Sequence, residues 1–492
     1  MSHVSRFKRP LQILVAFTLA LAFTCSSAMS VFASASLLQL SSDPFTNSPS
    51  QHRTEVEPDT FAAGNTLVSA FQVGRIFGGG SADIGFATST NGGSSFKSGF
   101  LPATTTAATP SGIYAAVSDA SVAFDARYGV WLISYLGISP NGGSGVDVLV
   151  SRSTDGGSTW SAPVVVNNSG DFNDKNWSVC DNTASSSFYG HCYTEFDDNS
   201  RLDTIQMSTS TDGGLTWGAA QTTQNQTHGI GGQPLVQPNG TVVVPIVGFA
   251  GNKFLMLSFV STNGGASWGK TSEITKVAFR APAGGLRGDI PLPSAEADAS
   301  GNVYVVWSDC RFEAGCAASD LVFSASSDGR NWSAITRIPL DPIGSGVDHF
   351  IPGLAVDHST SGGSAHLAVT FYFYPNANCT AATCQLESGY STSPDGGATW
   401  TANTQIAGPI SLNWIANTSQ GRMVGDYIST SFVGGAAYPA FADASAPTGG
   451  VFNEATFTVK GGLSVSGPGA SAHDHSNVGG NDTQTGSSLT DQ

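Results

Sequence analysis

Acidic side chains recur near the ends of predicted strands throughout this chain. They are Glu57, Asp59, Asp119, Asp174, Glu195, Asp289, Asp309, Asp348 and Asp426. Three arginines, Arg75, Arg287 and Arg311, lie at comparable strand ends, and a guanidinium group can hold a carboxylate through two parallel hydrogen bonds. Ionisable groups gathered at one end of a fold are typical of a pocket for a polar substrate. The sequence therefore predicts such a pocket, with an arginine-rich or an acidic lining.

The same residues also allow a structural interpretation. Most carboxylates of a chain with a formal net charge of −16 are expected to face solvent. Arg311 stands next to Asp309 and Cys310 in the sequence, where an ion pair would brace its own loop. The choice between the two interpretations depends on which of these side chains the fold brings together.

The elements that must position these residues are indicated by a short sequence that recurs along the chain. It reads "STNGGSSF" at 89–96, "STDGGSTW" at 153–160, "STDGGLTW" at 210–217, "STNGGASW" at 261–268, "SPDGGATW" at 393–400 and, one residue shorter, "SSDGRNW" at 326–332. The Asp or Asn suits a hairpin turn, because its side chain accepts backbone N–H groups. The glycines supply positive φ values, and the final aromatic residue is expected to be buried. A structural role is favoured, and carbohydrate binding by an exposed Trp is the alternative.

Each repeated turn lies within a longer unit of strand, turn, strand, loop, strand, turn and short fourth strand. Four antiparallel strands at a period of roughly 50–67 residues are typical of a β-propeller blade. The chain is thus predicted to be all-β, with seven blades, or six if the weak fourth unit belongs to its neighbour. The last unit lacks a fourth strand, which residues 36–45 are predicted to supply, because an open ring leaves strand edges unpaired. A single propeller is expected over residues 36–460, followed by a disordered Gly/Ser-rich tail at 461–492.

The first 35 residues have the order of a secretory signal. Arg6, Lys8 and Arg9 precede the apolar run "LQILVAFTLALAF", and small residues ending in "VFASA" follow. This order predicts a signal peptide over residues 1–35 that is cleaved near Ala35. The apolar run is shorter than the roughly 20 residues needed to span a bilayer. We therefore expect a secreted, extracellular protein without a membrane span.

Six of the cysteines beyond this segment form three close pairs in the sequence. The pairs are Cys180 with Cys192, Cys310 with Cys316, and Cys379 with Cys384. Local disulfides of this kind suit an oxidising compartment. Metal binding is the alternative, but no pair has the C-x-x-C spacing of a zinc site. We predict three local disulfides, no metal and no cofactor.

The charge balance excludes further classes of partner. Nucleic acids and anionic membranes attract surfaces with clustered Lys and Arg, whereas this chain has 20 basic and 36 acidic residues. We expect no nucleic-acid partner, and we expect a monomer.

The repeated turn resembles the Asp-box, Ser-x-Asp-x-Gly-x-x-Trp, of the sialidase superfamily. The resemblance covers nearly all of residues 45–460 and is specific for the fold, although Asp-boxes also occur in non-catalytic propellers. It implies three arginines that hold a substrate carboxylate, a Tyr nucleophile assisted by a Glu, and an Asp as the acid or base. Carried to this sequence, it suggests the catalytic candidates Tyr427, Asp119 and Glu195 and the substrate-binding candidates Arg75, Arg287, Arg311, Asp289 and Asp426.

The sequence also departs from that family. The Arg-Ile-Pro signature is absent, since "GRIF" at 74–77 lacks the proline and follows a second strand. The function expected from the resemblance is a secreted glycoside hydrolase that acts on terminal acidic sugars of extracellular glycans. The alternatives are a non-catalytic propeller that binds glycan or protein at the cell surface, and a different glycosidase or a polysaccharide lyase.

Overall fold

The computed structural model describes residues 35–140, 145–251 and 253–466. Except for Ala35 and residues 461–466, the predicted signal segment and the predicted tail lie outside this part of the chain. The described residues are all-β, which confirms the predicted class, and their helical content is limited to single 3-10 turns. These turns are Asn199–Arg201, Ala283–Gly285, Ala314–Cys316, Gly362–Ser364 and Leu412–Trp414. None of them has the length and hydrophobicity that a bilayer-spanning helix requires.

The first strands form two antiparallel groups of four. A short strand, β1 (Leu37–Gln39), precedes them. The first group is β2 (Glu55–Ala63), β3 (Thr66–Arg75), β4 (Ser81–Ser89) and β5 (Lys97–Phe100). The second group is β6 (Ala116–Asp125), β7 (Val130–Ile138), β8 (Val146–Ser153) and β9 (Val164–Asn167). One residue pair, Ser81 with Val117, joins the two groups.

The middle of the chain repeats the arrangement. One group is β10 (Asn173–Cys180), β11 (Cys192–Asp198), β12 (Thr204–Ser210) and β13 (Gln221–Thr222). In the next group, the short strands β14 (Gly229–Ile230) and β15 (Leu235–Val236) both pair with β16 (Val242–Ala250). The group continues with β17 (Lys253–Ser261) and β18 (Ser272–Lys276). A further group is β19 (Ser294–Ala297), β20 (Val303–Asp309), β21 (Asp320–Ser326) and β22 (Thr336–Arg337).

The last strands include the pairing of the two ends of the described chain. One group is β23 (Asp348–Val356), β24 (Leu367–Tyr374), β25 (Gln385–Ser393) and β26 (Thr404–Ser411), and a small hairpin follows as β27 (Asn417–Thr418) and β28 (Gly421–Arg422). The final strands are β29 (Ser429–Val433), β30 (Ala436–Ala444), β31 (Glu454–Val459) and β32 (Leu463–Ser464). Strand β1 pairs with β31, so that Leu37 lies opposite Val459.

The beginning of the predicted tail differs from the prediction. Strand β32 pairs with β30, and the Tyr390 hydroxyl donates to the Ser464 carbonyl at 3.3 Å. The Thr392 hydroxyl donates to the Ser466 carbonyl at 3.0 Å. Residues 461–466 therefore pack on the strands, because their backbone groups find partners there.

The hydrophobic core lies between neighbouring strand groups. Phe86 of β4 packs on Trp160, which follows β8, with ring centroids 5.7 Å apart. Similarly, Val243 of β16 shares a buried cluster with Trp307 of β20. Each group thus buries an apolar face against the next one, as packed sheets must do to remove both faces from water.

The repeated turns are held by their own side chains. Asp155 accepts the backbone N–H groups of Ser158 and Thr159 at 3.1 and 2.9 Å, and the Ser153 hydroxyl accepts the N–H of Gly157 at 2.9 Å. Gly157 has a φ of 79°, which a residue with a Cβ rarely adopts. The Trp160 side chain is buried. These contacts give the turn a structural role without a ligand.

Bulges in the first strands of several groups aim side chains away from the regular ladder. The register of β2, β6, β10 and β23 shifts at Glu57, Asp119, Lys175 and Ile351. All four residues have positive φ values, between 47° and 57°. A β-bulge re-aims a side chain and is common beside functional sites. Three of these four residues, Glu57, Asp119 and Lys175, are ionisable, and their side chains lie together.

The predicted disulfides are present. The bridges are Cys180–Cys192, Cys310–Cys316 and Cys379–Cys384. The first one joins β10 to β11, directly beyond the bulge at Lys175.

Candidate functional site

Lys175 lies at the meeting point of three carboxylates. Its Nζ is 2.6 Å from Asp119 Oδ1, 3.2 Å from Glu57 Oε1 and 2.5 Å from Asp426 Oδ2. Each of the four residues comes from a different strand group or from the segment before β29. We call these residues, together with Asp174 and Arg287, the Lys175 cluster.

Arg287 and Asp426 form the more exposed edge of this cluster. The Arg287 guanidinium pairs with Asp426 through Nη2, and its side chain is 17% exposed, compared with 6% for Lys175. The backbone N–H of Asp426 donates to Glu57 Oε1 at 3.1 Å. The backbone of Arg287 is fixed in turn, because its N–H donates to the Arg422 carbonyl at 2.6 Å. Backbone hydrogen bonds thus fix the positions of both Asp426 and Arg287, the two partners of this ion pair.

The environment moves the pKa values of these groups apart. Burial raises the pKa of Glu57 to about 7, although Lys175 lowers it. Burial would also raise the pKa of Asp426, but Lys175 and Arg287 hold that pKa well below its usual value. Burial would lower the pKa of Lys175, yet Asp119, Asp426 and Glu57 raise it well above normal. The lysine therefore stays charged, and neighbouring carboxyl groups differ in protonation near neutral pH.

Asp174 adds a partly exposed carboxyl group beside the buried ones. Its Oδ1 accepts the backbone N–H of Lys175 at 2.9 Å. Burial and the negative charge of Asp119 raise the pKa of Asp174 to about 6. Partial exposure with a pKa in this range is what a proton donor near neutral pH needs.

Glu195 lies on β11, the strand that pairs with the Lys175 strand β10. It faces Trp177 across the ladder of β10 and β11, and Asp197 faces Asp174. Glu195 and Asp197 are fully buried, and within the described ranges their carboxylate oxygens have no hydrogen-bond partner. Burial raises the pKa of both groups well above the usual value. Burial thus favours the neutral form of both carboxyl groups.

Arg75 is close to the cluster but does not line an open surface. It is 1% exposed, and its Nη1 donates to Gln72 Oε1 and to the Gly80 carbonyl, each at 2.6 Å. Gln72 in turn donates to Glu57. Arg75 therefore acts on the cluster through Gln72, as a positioning residue.

Tyr427 is oriented differently from the nucleophile that the resemblance implies. Its hydroxyl donates to the Ala120 carbonyl at 2.9 Å, and its ring packs edge-on against Trp177. No carboxylate in the described part of the chain accepts this hydroxyl. Burial and then the nearby carboxylates, Glu57 first, raise the pKa of Tyr427 well above its usual value. In this arrangement the phenol stabilises the bulge at Asp119.

Two predicted binding residues do not join the cluster. Arg311 forms a two-pronged ion pair with Asp309, at 2.9 and 2.7 Å, and donates to the Lys276 carbonyl at 2.6 Å. It therefore braces its own loop, as the structural interpretation expected. Asp289 is exposed. The three arginines consequently do not converge on one point, because Arg75 is buried and Arg311 is held by Asp309.

Sequence reasoning missed Lys175. The cationic candidates were arginines, chosen for their two-pronged contact with a carboxylate, yet here one ammonium group contacts three separate carboxylates. A usable signal exists in the first strands of three successive units, "EVEPDT", "VSDASV" and "NDKNWS". Aligned at their bulges, these strands place Glu57, Asp119 and Lys175 at the same position, with a carboxylate in the first two units and an ammonium group in the third.

The space beside the cluster is small. Two cavities of about 10 Å³ each adjoin it, and both are lined by Gln233, Leu292, Pro293 and Tyr427. A much larger groove, of about 600 Å³, lies elsewhere, between β9 and the strands β12 and β13. Asn168, Arg201, Gln206 and Trp217 are among its lining residues. The Lys175 cluster and this larger groove are thus in different places.

Comparison with known proteins identifies the repeat. Residues 137–352 match the family model described as a BNR repeat-like domain. No curated protein sequence matches the chain. Among solved structures, the chain is similar to the Hadza microbial sialidase Hz136, at 14% identity and a TM-score of 0.44, over 70% of this chain and 66% of that chain. It is also similar to the NanB sialidase of Streptococcus pneumoniae, at 13% identity and a TM-score of 0.40, over 87% and 70% of the two chains.

A third similarity is to the GH93 α-L-arabinofuranosidase of Fusarium graminearum, at 14% identity and a TM-score of 0.36, over 55% of this chain and 89% of that chain. The family match is the informative finding, since it covers β8 to β22 and includes four of the six copies of the repeated turn, the shorter one among them. It confirms the repeat inferred from that turn: residues 137–352 of this chain match BNR-type repeats.

Proposed function

We propose that this protein is a secreted glycoside hydrolase that acts on terminal acidic sugars of extracellular glycans, with the Lys175 cluster as its active site. The observation that carries the proposal is the contrast between neighbouring carboxyl groups. The pKa of Asp174 is raised to about 6 by burial, then by Asp119, whereas Lys175 and Arg287 outweigh burial and lower the pKa of Asp426. Paired carboxyl groups whose environments separate their pKa values are characteristic of acid and base roles in glycosidases.

The proposed architecture is a seven-bladed β-propeller in which each antiparallel strand group is one blade. Contacts between the first strands support it, since they follow each other around a circle: β2 to β6, β6 to β10, β10 to β15, β15 to β19, β19 to β23, β23 to β29, and β29 back to β2. Strand β1 would complete the last blade through its pairing with β31. The bulged residues of the first strands would then point towards one shared axis.

The proposed chemistry assigns roles to four members of the cluster: Asp174, Asp119, Asp426 and Arg287. Asp174 would donate a proton to the leaving-group oxygen, and the carboxyl groups of Asp119 and Asp426 would face the positive charge that develops on the sugar ring. Oxygens of Glu57, Asp119 and Asp426 lie within 3.2 Å of the Lys175 ammonium nitrogen, so three carboxyl groups are gathered at one place. Arg287 would bind the sugar carboxylate, since its Nη1 has only a 3.7 Å contact with Met423 Sδ.

Secretion is part of the proposal and rests on two observations. The basic, apolar and small-residue order of residues 1–35 is that of a signal peptide. The three disulfides would persist in an oxidising compartment.

A panel of fluorogenic glycosides tests the proposal. Purified protein should release the fluorophore from an acidic glycoside, such as a sialoside or a glucuronide, faster than from neutral pyranosides and arabinofuranosides. Arg287→Lys should reduce kcat/KM on the acidic glycoside roughly ten- to hundred-fold, because lysine keeps the charge but loses the two-pronged contact. Asp289→Asn, at an exposed position outside the cluster, is the matched control. Equal rates on acidic and neutral glycosides, or an unchanged rate for Arg287→Lys, would remove the acidic-sugar assignment.

A second candidate function is a non-catalytic glycan-binding propeller, and the cavity volumes favour it. The space beside the Lys175 cluster is about 10 Å³ per cavity, too small for a sugar without movement, whereas the groove beside Trp217 has about 600 Å³. An aromatic ring with amide and guanidinium groups is suited to a saccharide. This candidate predicts glycan binding that is lost in Trp217→Ala and in Arg201→Ala, without hydrolysis of any glycoside in the panel.

A further inference from the structure

Three potential metal-ligating side chains meet at the junction of two strand groups, away from the Lys175 cluster. Asp320 begins β21, Asp341 follows β22, and His349 is the second residue of β23. One ligand atom from each residue lies within 4.8 Å of the other two. Asp320 and His349 are almost fully buried, at 2% and 0% exposure. We call these three residues the Asp320 triad.

The facing atoms of this triad are acceptors. His349 Nδ1 lies 3.4 Å from the Ser319 carbonyl, and this contact requires the proton on Nδ1. Nε2 of the neutral ring is then an acceptor, and within the described ranges it has no hydrogen-bond partner. Asp320 Oδ2 likewise has none. Two buried acceptors without donors cost free energy, so a cation between them would be stabilising.

Arg337 holds the two carboxylates in place from the other side. Its Nε donates to Asp320 Oδ1 at 2.6 Å and its Nη2 donates to Asp341 Oδ1 at 2.7 Å. The Ser345 hydroxyl donates to Asp341. These contacts engage Asp320 Oδ1 and leave Asp320 Oδ2 without a donor in the described part of the chain. A histidine held by a backbone carbonyl and carboxylates held by further hydrogen bonds are the usual supports of metal ligands in proteins.

We propose that Asp320, Asp341 and His349 bind one divalent transition-metal ion of the Zn²⁺ or Mn²⁺ class. One imidazole nitrogen and two carboxylate oxygens suit these ions better than Ca²⁺, which prefers oxygen ligands alone. The ion would link β21 of one strand group to β23 of the next, so its effect would be on stability. The proposal is independent of the glycosidase assignment and differs from the sequence expectation of no metal.

A shared proton is the competing explanation for the facing acceptors. A proton on Asp320 or on His349 Nε2 would satisfy the same atoms without any metal. Experiment distinguishes a shared proton from a metal ion, because a protein that holds only a proton at this site would respond neither to chelators nor to added Zn²⁺.

Metal analysis and thermal unfolding of the full mature protein test the proposal. After treatment with a chelator and dialysis, addition of Zn²⁺ or Mn²⁺ should give one bound ion per chain by elemental analysis and raise the Tm by about 3 °C or more at saturation. His349→Phe should abolish both effects. The new ring fits the site, because the His349 ring already packs against Phe371 and Phe373 at 5.5 and 6.0 Å.

Two further variants test a second ligand and provide a control. Asp320→Asn should lower the affinity for the ion at least ten-fold while its remaining oxygen still accepts Arg337. His366→Phe is the control, since the ring of His366 has no hydrogen-bond partner in the part of the chain that the structure describes, and this variant should bind the ion like the wild type. The proposal is overturned if no ion binds with unit stoichiometry, or if His349→Phe binds it equally well.

Discussion

The ammonium group of Lys175 lies 2.5 Å from Asp426 Oδ2, across 251 positions of sequence. This contact joins β10 to the segment before β29. Because Lys175 also contacts Asp119 and Glu57, one side chain connects four separate parts of the chain. Its removal would leave several buried carboxylates without a counter-charge.

Lys175→Met is therefore expected to destabilise the protein strongly. Breaking a buried ion pair by removal of one partner typically costs about 3–5 kcal/mol, because the other charge stays buried. Urea unfolding would measure the loss, with Lys253→Met, at an exposed position, as the control. Equal unfolding free energies for Lys175→Met and the control would show that the cluster contributes nothing to stability.

Stability is expected to fall as the pH rises from about 6.5 to 8.5. Burial raises the pKa of Glu57 and of Asp59 to about 7 and that of Glu55 to about 8. The unfolded chain releases these protons above about pH 4, whereas the folded state keeps them up to about pH 7 at Glu57 and Asp59 and about pH 8 at Glu55. The free energy of unfolding therefore decreases with pH until those values are passed, by up to about 1.4 kcal/mol per pH unit for each group. The opposite contribution of His349, whose pKa burial lowers to about 4, is complete below this range.

Denaturant unfolding at several pH values would check this dependence. Asp59→Asn should make the decline shallower, since the amide keeps an oxygen for the Val122 N–H, which Asp59 accepts at 2.6 Å. A free energy of unfolding that increases between pH 6.5 and 8.5 would contradict the predicted protonation of these groups.

Trp160→Ala is expected to reduce stability without a direct effect on ligand binding. The Trp160 ring is buried against Phe86 between two strand groups, and truncation of a buried Trp costs about 3–5 kcal/mol. Leu215→Ala is a control from another copy of the repeated turn, because Leu215 is 55% exposed. A variant that melts like the wild type but loses ligand would refute the structural role of the turn.

Deletion of residues 36–45 is expected to destabilise the folded domain far more than deletion of residues 467–492. The first segment contributes the β1 pairing with β31, the buried Leu40 and the Asp43 carboxylate, which accepts three backbone N–H groups. Loss of the Leu40 burial alone costs about 1.5–3 kcal/mol. Similar melting temperatures for the two truncations would argue against β1 as the strand that completes the last blade.

The sequence predicted the repeating strands better than the site, for a physical reason. The turn at 153–160 is a local feature, since Ser153 and Asp155 accept the turn's own backbone N–H groups. The Lys175 cluster depends on bulges at Glu57, Asp119 and Lys175, where one extra residue turns a side chain out of its alternation. Composition does not reveal such a bulge. Arg311 was assigned to the pocket because it follows a strand, whereas in the structure its ion pair with Asp309 keeps it in its own loop.

The proton-donor role of Asp174 is the central claim about function, and kcat/KM of Asp174→Asn tests it most directly. On an acidic glycoside with a poor leaving group, the variant should lose about 10²–10⁴-fold in kcat/KM, and it should lose much less on a nitrophenyl glycoside, whose leaving group needs no proton. The wild-type rate should decline above about pH 6, where Asp174 ionises, and the variant should lack this decline. An equal loss on both leaving groups, or a wild-type rate for Asp174→Asn, would contradict the assignment of glycoside hydrolysis to the Lys175 cluster.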